Sequence, residues 1–285
     1  MSTPGRRLSG LLRLFRFELP LAAGVCVLLG GLLALGQLPT PAEAALGFLS
    51  VFCVSAAALI LNDYFDLESD RINAPERPLP AGLVTERDVV LLFMIVTLVG
   101  FVASALISVR ALATVMVVWA VGLLYNWRLK KLGLIGNLMV SVSVGMTFIY
   151  GGLVVGKPFE VIVWFFALLV LLINLGEEIA ADTLDIAGDR HADSRSLAIR
   201  FGPERALRVS VAIFLVVIVL SCLPFLFGWL AWVYFLPLLF MDAVIAYSTQ
   251  RLLDSTVANR RRYIRCIYSS GSLALVVLIL IHMFG

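Results

Sequence analysis

Long uncharged runs recur along this chain, and its charged residues gather into short clusters between them. Reading the apolar runs between charges gives nine segments, at approximately 17–37, 44–62, 88–107, 111–127, 134–154, 159–181, 206–227, 229–250 and 263–283. A helix needs about 20 residues to cross the hydrocarbon of a bilayer, and these runs have that length. Barrel strands are about half as long and alternate in polarity, which these runs do not. Only helices and closed barrels satisfy the backbone in lipid. The pattern predicts an all-α, polytopic membrane protein with nine transmembrane helices, forming one domain over residues 1–285.

Composition agrees with the pattern. The chain is 61% hydrophobic and 14% charged, with a mean hydropathy of +1.01. A soluble domain is about half apolar and about a quarter charged. The basic stretch "GRRLSGLLRLFRF" precedes the first apolar run, and eight more runs follow it, so the first reads as a true span and not a cleaved signal. Cys26, Cys53, Cys222 and Cys266 are scattered and read as small core residues. His191 and His282 are too few and too far apart for a zinc site.

Charge then orients the spans. Arg6, Arg7, Arg13 and Arg16 precede the first span, and Arg71, Arg77 and Arg87 follow the second. Arg128, Lys130 and Lys131 follow the fourth, and Arg190, Arg195, Arg200, Arg205 and Arg208 the sixth. Arg251, Arg260, Arg261, Arg262 and Arg265 follow the eighth. The opposite side receives only Arg110 and Lys157, so the 22 basic residues divide twenty to two. The positive-inside rule places the N-terminus and the basic loops in the cytoplasm of a cell inner or plasma membrane, and nine spans place the C-terminus outside. Basic residues divided among loops in this way are a topology signal. A nucleic-acid footprint would be a continuous patch with interleaved aromatics, so no nucleic-acid partner is expected.

The acids carry the chemistry. "LNDYFDLESDRINAPERPLP" ends the second run, and "GEEIAADTLDIAGDRHADSRSLAIRFG" ends the sixth. Asp63, Asp66 and Asp70 have the spacing D-x-x-D-x-x-x-D, and Asp182, Asp185 and Asp189 repeat it on the same side of the membrane. On a helix such positions fall within roughly 60° of arc, so each triad is expected to line one face at a helix end. Asn62, one turn before Asp66, can join that face as a neutral oxygen ligand, whereas Glu68 points elsewhere and reads as solvated. Neither set has the glycine and terminal Glu of a calcium loop. Six unpaired carboxylates on facing helices would repel one another. Mg²⁺ removes that repulsion, keeps several waters and bridges to phosphate oxygens. Two acidic helix ends over an oily interior therefore suggest a clamp for a lipid diphosphate.

With these motifs in order, the chain resembles the UbiA superfamily of intramembrane prenyltransferases over essentially its whole length. "RFELP" looks like the family's lead into its first helix, "DRINAPERPLPAG" like the loop after its first motif, "YNWRLKK" like its Tyr-then-Lys segment, and "SLAIRFG" like the run after its second motif. The resemblance implies nine helices around a central cavity, with a cytoplasmic cap carrying both Asp motifs. It implies Mg²⁺-dependent transfer of a prenyl group from a polyprenyl diphosphate to an acceptor dissolved among membrane lipids. Asn62, Asp66, Asp185 and Asp189 would be the principal Mg²⁺–diphosphate residues, supported by Asp63, Asp70 and Asp182. Arg77, Tyr125 and Lys130 would complete the cap, with Lys131 the alternative if the register differs by one, and Arg16 lies in the lead segment. Tyr125, Phe148 and Tyr150 could offer aromatic faces to an allyl cation.

The first motif and the frame from Gly176 to Asp189 look most like the branch that prenylates geranylgeranylglyceryl phosphate. That branch commonly has a basic residue where this chain has Glu177, and another near Ala181. A phosphorylated acceptor would call for those charges, so the expectation tilts slightly to an aromatic or otherwise hydrophobic acceptor such as a quinone precursor. The alternative from another class is a multi-span cation or metabolite transporter, for which Asp242, inside the eighth run, is the best residue.

Overall fold

The computed structural model describes residues 4–186, 194–254 and 259–284. In chain order its helices are α1 (Pro4–Leu14), α2 (Glu18–Leu35), α3 (Pro41–Phe65), α4 (Leu67–Asn73), α5 (Glu86–Ile107), α6 (Val109–Trp127) and α7 (Leu134–Val154). They continue with α8 (Val161–Asp182), α9 (Leu197–Phe201), α10 (Pro203–Ser221), α11 (Leu223–Leu226), α12 (Phe235–Leu253) and α13 (Arg260–Phe284). Among the described residues nine segments are long and apolar enough to cross a membrane, and each matches an expected span to within a few residues.

Local chemistry fixes the helix ends. Thr40 accepts from the backbone N–H of Glu43 while the Glu43 carboxylate accepts from that of Thr40, and Pro41 sits at the first helical position. Thr85 and Asp88 repeat the arrangement at the start of α5. The basic N-terminal stretch, read from sequence only as a flank, forms the amphipathic helix α1. Its Gly10 and Leu14 are buried, Leu8 and Leu12 are exposed, and Arg7 ion-pairs with Asp88.

In lipid, helices gain little from apolar burial and associate through close packing and interhelical hydrogen bonds. Both devices hold this bundle together. A Cβ on Gly30 of α2 would lie 2.4 Å from the Phe148 carbonyl oxygen, and one on Gly151 of α7 would lie 2.2 Å from that of Val27. Only glycine allows α2 and α7 to cross this closely. The Ser50 hydroxyl donates to Tyr150 Oη at 2.9 Å, and Tyr150 donates to Ser104 Oγ at 3.2 Å, joining α3, α7 and α5. Ser210 Oγ donates to the Gly176 carbonyl at 2.7 Å, tying α10 to α8. Asp242 accepts from Ser221 Oγ at 2.6 Å and so hydrogen-bonds a neighbouring helix. Phe148 is fully buried against Phe166 and faces core, not cavity, so it is no candidate for cation stabilisation.

Candidate active site

The ends of α3, α6 and α8 and the start of α13 meet at one end of the bundle. The Arg195 backbone N–H donates to the Lys131 carbonyl at 3.0 Å, and Arg261 reaches Asp185 at 2.6 Å. Gly133 makes the crossing possible. Its φ of +62° is left-handed, and a Cβ there would lie 2.1 Å from the Arg195 carbonyl oxygen. Loops far apart in sequence, most of them basic, thus share a single rim.

The first triad is not carried on one unbroken helix. α3 ends at Phe65, Asp66 occupies the junction with φ −92° and ψ 4°, and α4 resumes at Leu67. The acids flanking the break and the one at it have different ion-pair partners. Asp63 is 1% exposed and ion-pairs with Arg16, with Arg77 at 3.8 Å, and Asp70 pairs with the same Arg77 at 2.5 Å. These contacts pin α1, α4 and the following loop against α3. Arg16 has φ +43°, a left-handed conformation that costs roughly 1–2 kcal/mol for an L-residue. The reversal from α1 into α2 and the pairing with Asp63 hold it there. Asp66 pairs with Lys130. Of the two alternative lysines, Lys130 is half-buried and turned to the motif, while Lys131 is exposed. Burial, with a smaller push from Lys131, lowers the Lys130 ammonium to about 8. Glu68 is exposed and pairs with Arg71 at 2.8 Å, as a solvated residue should.

The second triad also spans a helix end. α8 stops at Asp182, Thr183 and Leu184 turn, and Asp185 follows without regular structure. The amide of Asn137 donates to Asp182 at 2.8 Å, and Arg261 pairs with Asp185. Asp189 lies outside the described residues. Each helix ends inside its own motif, so neither triad is carried on one unbroken helix as the spacing alone implied.

Beneath the rim lies a cavity of about 530 Å³. Asn62 of the first motif lines it, as do Tyr125, Tyr150 and the aromatic ring of Trp119. Most of its wall is aliphatic, which suits an isoprenoid tail. Asn126 Nδ2 donates to the Ala58 carbonyl at 3.0 Å, locking the end of α6 that carries Tyr125 onto α3. One side of α8 runs down the cavity as Phe166, Ile173, Asn174, Glu177 and Glu178, the spacing of one helical face.

The oxygen chemistry of the rim fits Mg²⁺. Among the described residues no three His, Cys, Asp or Glu side chains close on one point, so the described residues offer no all-protein cage. Mg²⁺ does not require one. It binds through one or two carboxylates, keeps waters and shares the phosphates of its substrate. Asn62 with Asp66 on one side and Asp182 with Asp185 on the other would supply that sparse set of hard oxygens, whereas Asp63 and Asp70 are held by arginines. Asn137 and Arg261, which orient the second motif, were not evident from sequence. An asparagine within the apolar run "LIGNLMVSVSVG" was the only available hint of the first.

The sequence pattern of the UbiA prenyltransferase family matches residues 23–270. The digeranylgeranylglyceryl phosphate synthase of Thermococcus kodakarensis is 34% identical over 235 residues, covering 82% of this chain and 83% of that protein. A solved structure of a digeranylgeranylglyceryl phosphate synthase is 27% identical and superposes with a TM-score of 0.74, covering 95% of this chain and 98% of the other. A UbiA homologue from Archaeoglobus fulgidus, solved with GPP and Mg²⁺, shares the fold at 18% identity and a TM-score of 0.67, over 94% of this chain and 97% of its own. The chain belongs to the UbiA prenyltransferase family, and it is a multi-pass membrane enzyme.

Proposed function

We propose that residues 1–285 act as one Mg²⁺-dependent domain that transfers the prenyl group of a polyprenyl diphosphate to a hydrophobic acceptor within the membrane. One observation carries this reading: a largely apolar cavity is lined by Asn62 of the first motif, whose neighbour Asp66 pairs with Lys130. The Archaeoglobus homologue, solved with GPP and Mg²⁺, supports both the donor and the metal.

The roles follow from placement. Asn62, Asp66, Asp182, Asp185 and, beyond the described residues, Asp189 would hold Mg²⁺ and the diphosphate at the rim. Bound there, Mg²⁺ would neutralise the charge gathering on the departing diphosphate. Lys130 adds a cation preorganised on the same oxygens. Arg77 and Arg16 keep the first motif folded through Asp63 and Asp70, and Lys131 is exposed beside Lys130. As the C1–O bond of the allylic donor breaks, its electron pair leaves with the diphosphate; the acceptor's nucleophilic atom closes on C1 and gives up its proton to the released diphosphate or to water at the rim. The buried cavity keeps water from C1, and Tyr125 and Tyr150 are among its lining residues.

Incubating purified protein with Mg²⁺ and geranylgeranyl diphosphate tests this. The acceptor panel would be geranylgeranylglyceryl phosphate, 4-hydroxybenzoate, homogentisate and 1,4-dihydroxy-2-naphthoate, with products identified by mass spectrometry. Product that disappears on chelation is expected. No metal-dependent product and no metal-dependent donor binding would sink the reading.

The twenty-to-two division of basic residues supports a cytoplasmic rim and an external C-terminus. Reporter fusions after residues 75, 130 and 195 are expected to read cytoplasmic, and fusions near 110, 157 and the C-terminus external. A cytoplasmic C-terminal reporter would contradict this orientation.

A further inference from the structure

The cavity that would receive the acceptor is polar on one side, and its polarity has a sign. Among the described residues lining it, Arg16 is the only cation, and Arg16 is already paired with Asp63. Two carboxylates, Glu177 and Glu178, line the same cavity from α8. Glu177 is 8% exposed, and its Oε1 has no hydrogen-bond partner. A buried oxygen left without a partner is costly, and such groups are normally satisfied by protein, water or ligand. Glu177 faces a space large enough for a ligand, with the hydroxyl-bearing Tyr268 and Ser272 of α13 on the same wall.

Depth fits a substrate role. Glu178 lies four residues and Glu177 five residues before Asp182, so the pair sits roughly 6–8 Å below the rim along the α8 axis. A prenyl diphosphate clamped at the rim would hang its C1 just beneath the phosphates. The carboxylates therefore stand near the level at which an acceptor must present its nucleophile.

Resting on the prenyl-transfer reading above, we infer that Glu177 is an acceptor-recognition residue that selects an uncharged, hydroxyl-bearing head group and disfavours a phosphorylated one. A hydroxyl satisfies Glu177 in either protonation state, because it can donate to a carboxylate and accept from a carboxylic acid. A phosphate dianion can only accept, and it would be carried into an apolar cavity beside two carboxylates with no unpaired cation among the described lining residues. Glu177 acts here by positioning and selection, and no proton transfer is assigned to it.

The test uses a matched pair of acceptors, geranylgeranylglycerol and geranylgeranylglyceryl phosphate, which differ only in the phosphate. With geranylgeranyl diphosphate and Mg²⁺, wild type is expected to favour the alcohol at least about tenfold in kcat/KM. Glu177→Leu should raise KM for the alcohol about tenfold or more, with donor affinity unchanged. Glu177→Gln, which keeps the shape and the hydrogen bonding, should restore most of that loss. Glu177→Arg should shift preference toward the phosphate. Equilibrium dialysis of the two ethers against wild type and Glu177→Leu, in the presence of a non-hydrolysable donor analogue, measures the same selectivity without turnover. Preference of wild type for the phosphate, or equal retention of the alcohol by wild type and Glu177→Leu, would overturn the inference. Donor binding measured alongside keeps the two hypotheses separate. Loss of metal-dependent donor binding in wild type would count against the prenyl-transfer reading, whereas intact donor binding with unselective acceptor binding would count against Glu177 alone.

Discussion

Asp66→Asn and Asp185→Asn are each expected to lower prenyl transfer by about 10³-fold or more while leaving the protein folded in detergent. Removing one preorganised hydrogen-bond donor from a transition-state site costs about 10²–10³ in rate, and a lost metal ligand takes away charge as well. Both side chains are partly or fully accessible at the rim, where Asp66 meets Lys130 and Asp185 meets Arg261. An amide of the same size leaves the backbone undisturbed at either position, so the thermal midpoint should move little. Glu68→Gln is the matched control. It lies two residues from Asp66, is exposed and pairs only with its helical neighbour Arg71, so it should keep most of its activity. The measurement is product formation against Mg²⁺ for all three variants, with melting curves to confirm folding. An inactive Glu68→Gln beside an active Asp66→Asn would show that the wrong side of the motif has been assigned to the metal.

The spans were legible because a membrane imposes one length and one polarity on every crossing, and a local window captures both. The capping boxes at Thr40 and Thr85 account for the few residues by which α3 and α5 begin earlier than their apolar runs. The helix α1 was harder to read, since its apolar face is narrow and it stabilises itself by contact with Val84 and Asp88, more than 70 residues away. The same limit applies to the site. Spacing placed three carboxylates on one ideal helical face, but the helix ends at Phe65, and Asp63 and Asp70 pair with Arg16 and Arg77, contacts that spacing alone does not reveal. Arg261, 76 positions from Asp185, has no local signature that would have linked them. Glu177 drew notice in the sequence as a departure from a related branch. Only the fold shows that Glu177 lines the cavity and that its buried Oε1 lacks a hydrogen-bond partner.

Lys130→Met will separate metal binding from catalysis, moving them in opposite directions. Without metal or donor, the Lys130 ammonium occupies the Asp66 carboxylate. A Mg²⁺ ion arriving there must share or displace a cation that burial has already made easier to lose, with its pKa lowered to about 8. Replacing it with methionine keeps the length and apolar packing of the side chain and removes that competition. Partly buried pairs of this kind are worth on the order of 1 kcal/mol, so Mg²⁺ affinity measured without donor should tighten several-fold. Once the donor is bound, the balance reverses. The same ammonium stands where negative charge accumulates as the diphosphate leaves, and its loss should lower kcat by about 10²–10³. A purely structural lysine would produce a different result, weakening metal binding, donor binding and thermal stability together as the cap loosens. Mn²⁺ titration followed by electron paramagnetic resonance gives the metal affinity, and single-turnover transfer gives the chemical step. Weaker metal binding in Lys130→Met would mean that the lysine holds the first motif in shape. An unchanged single-turnover rate would mean that the departing diphosphate is stabilised from elsewhere on the rim.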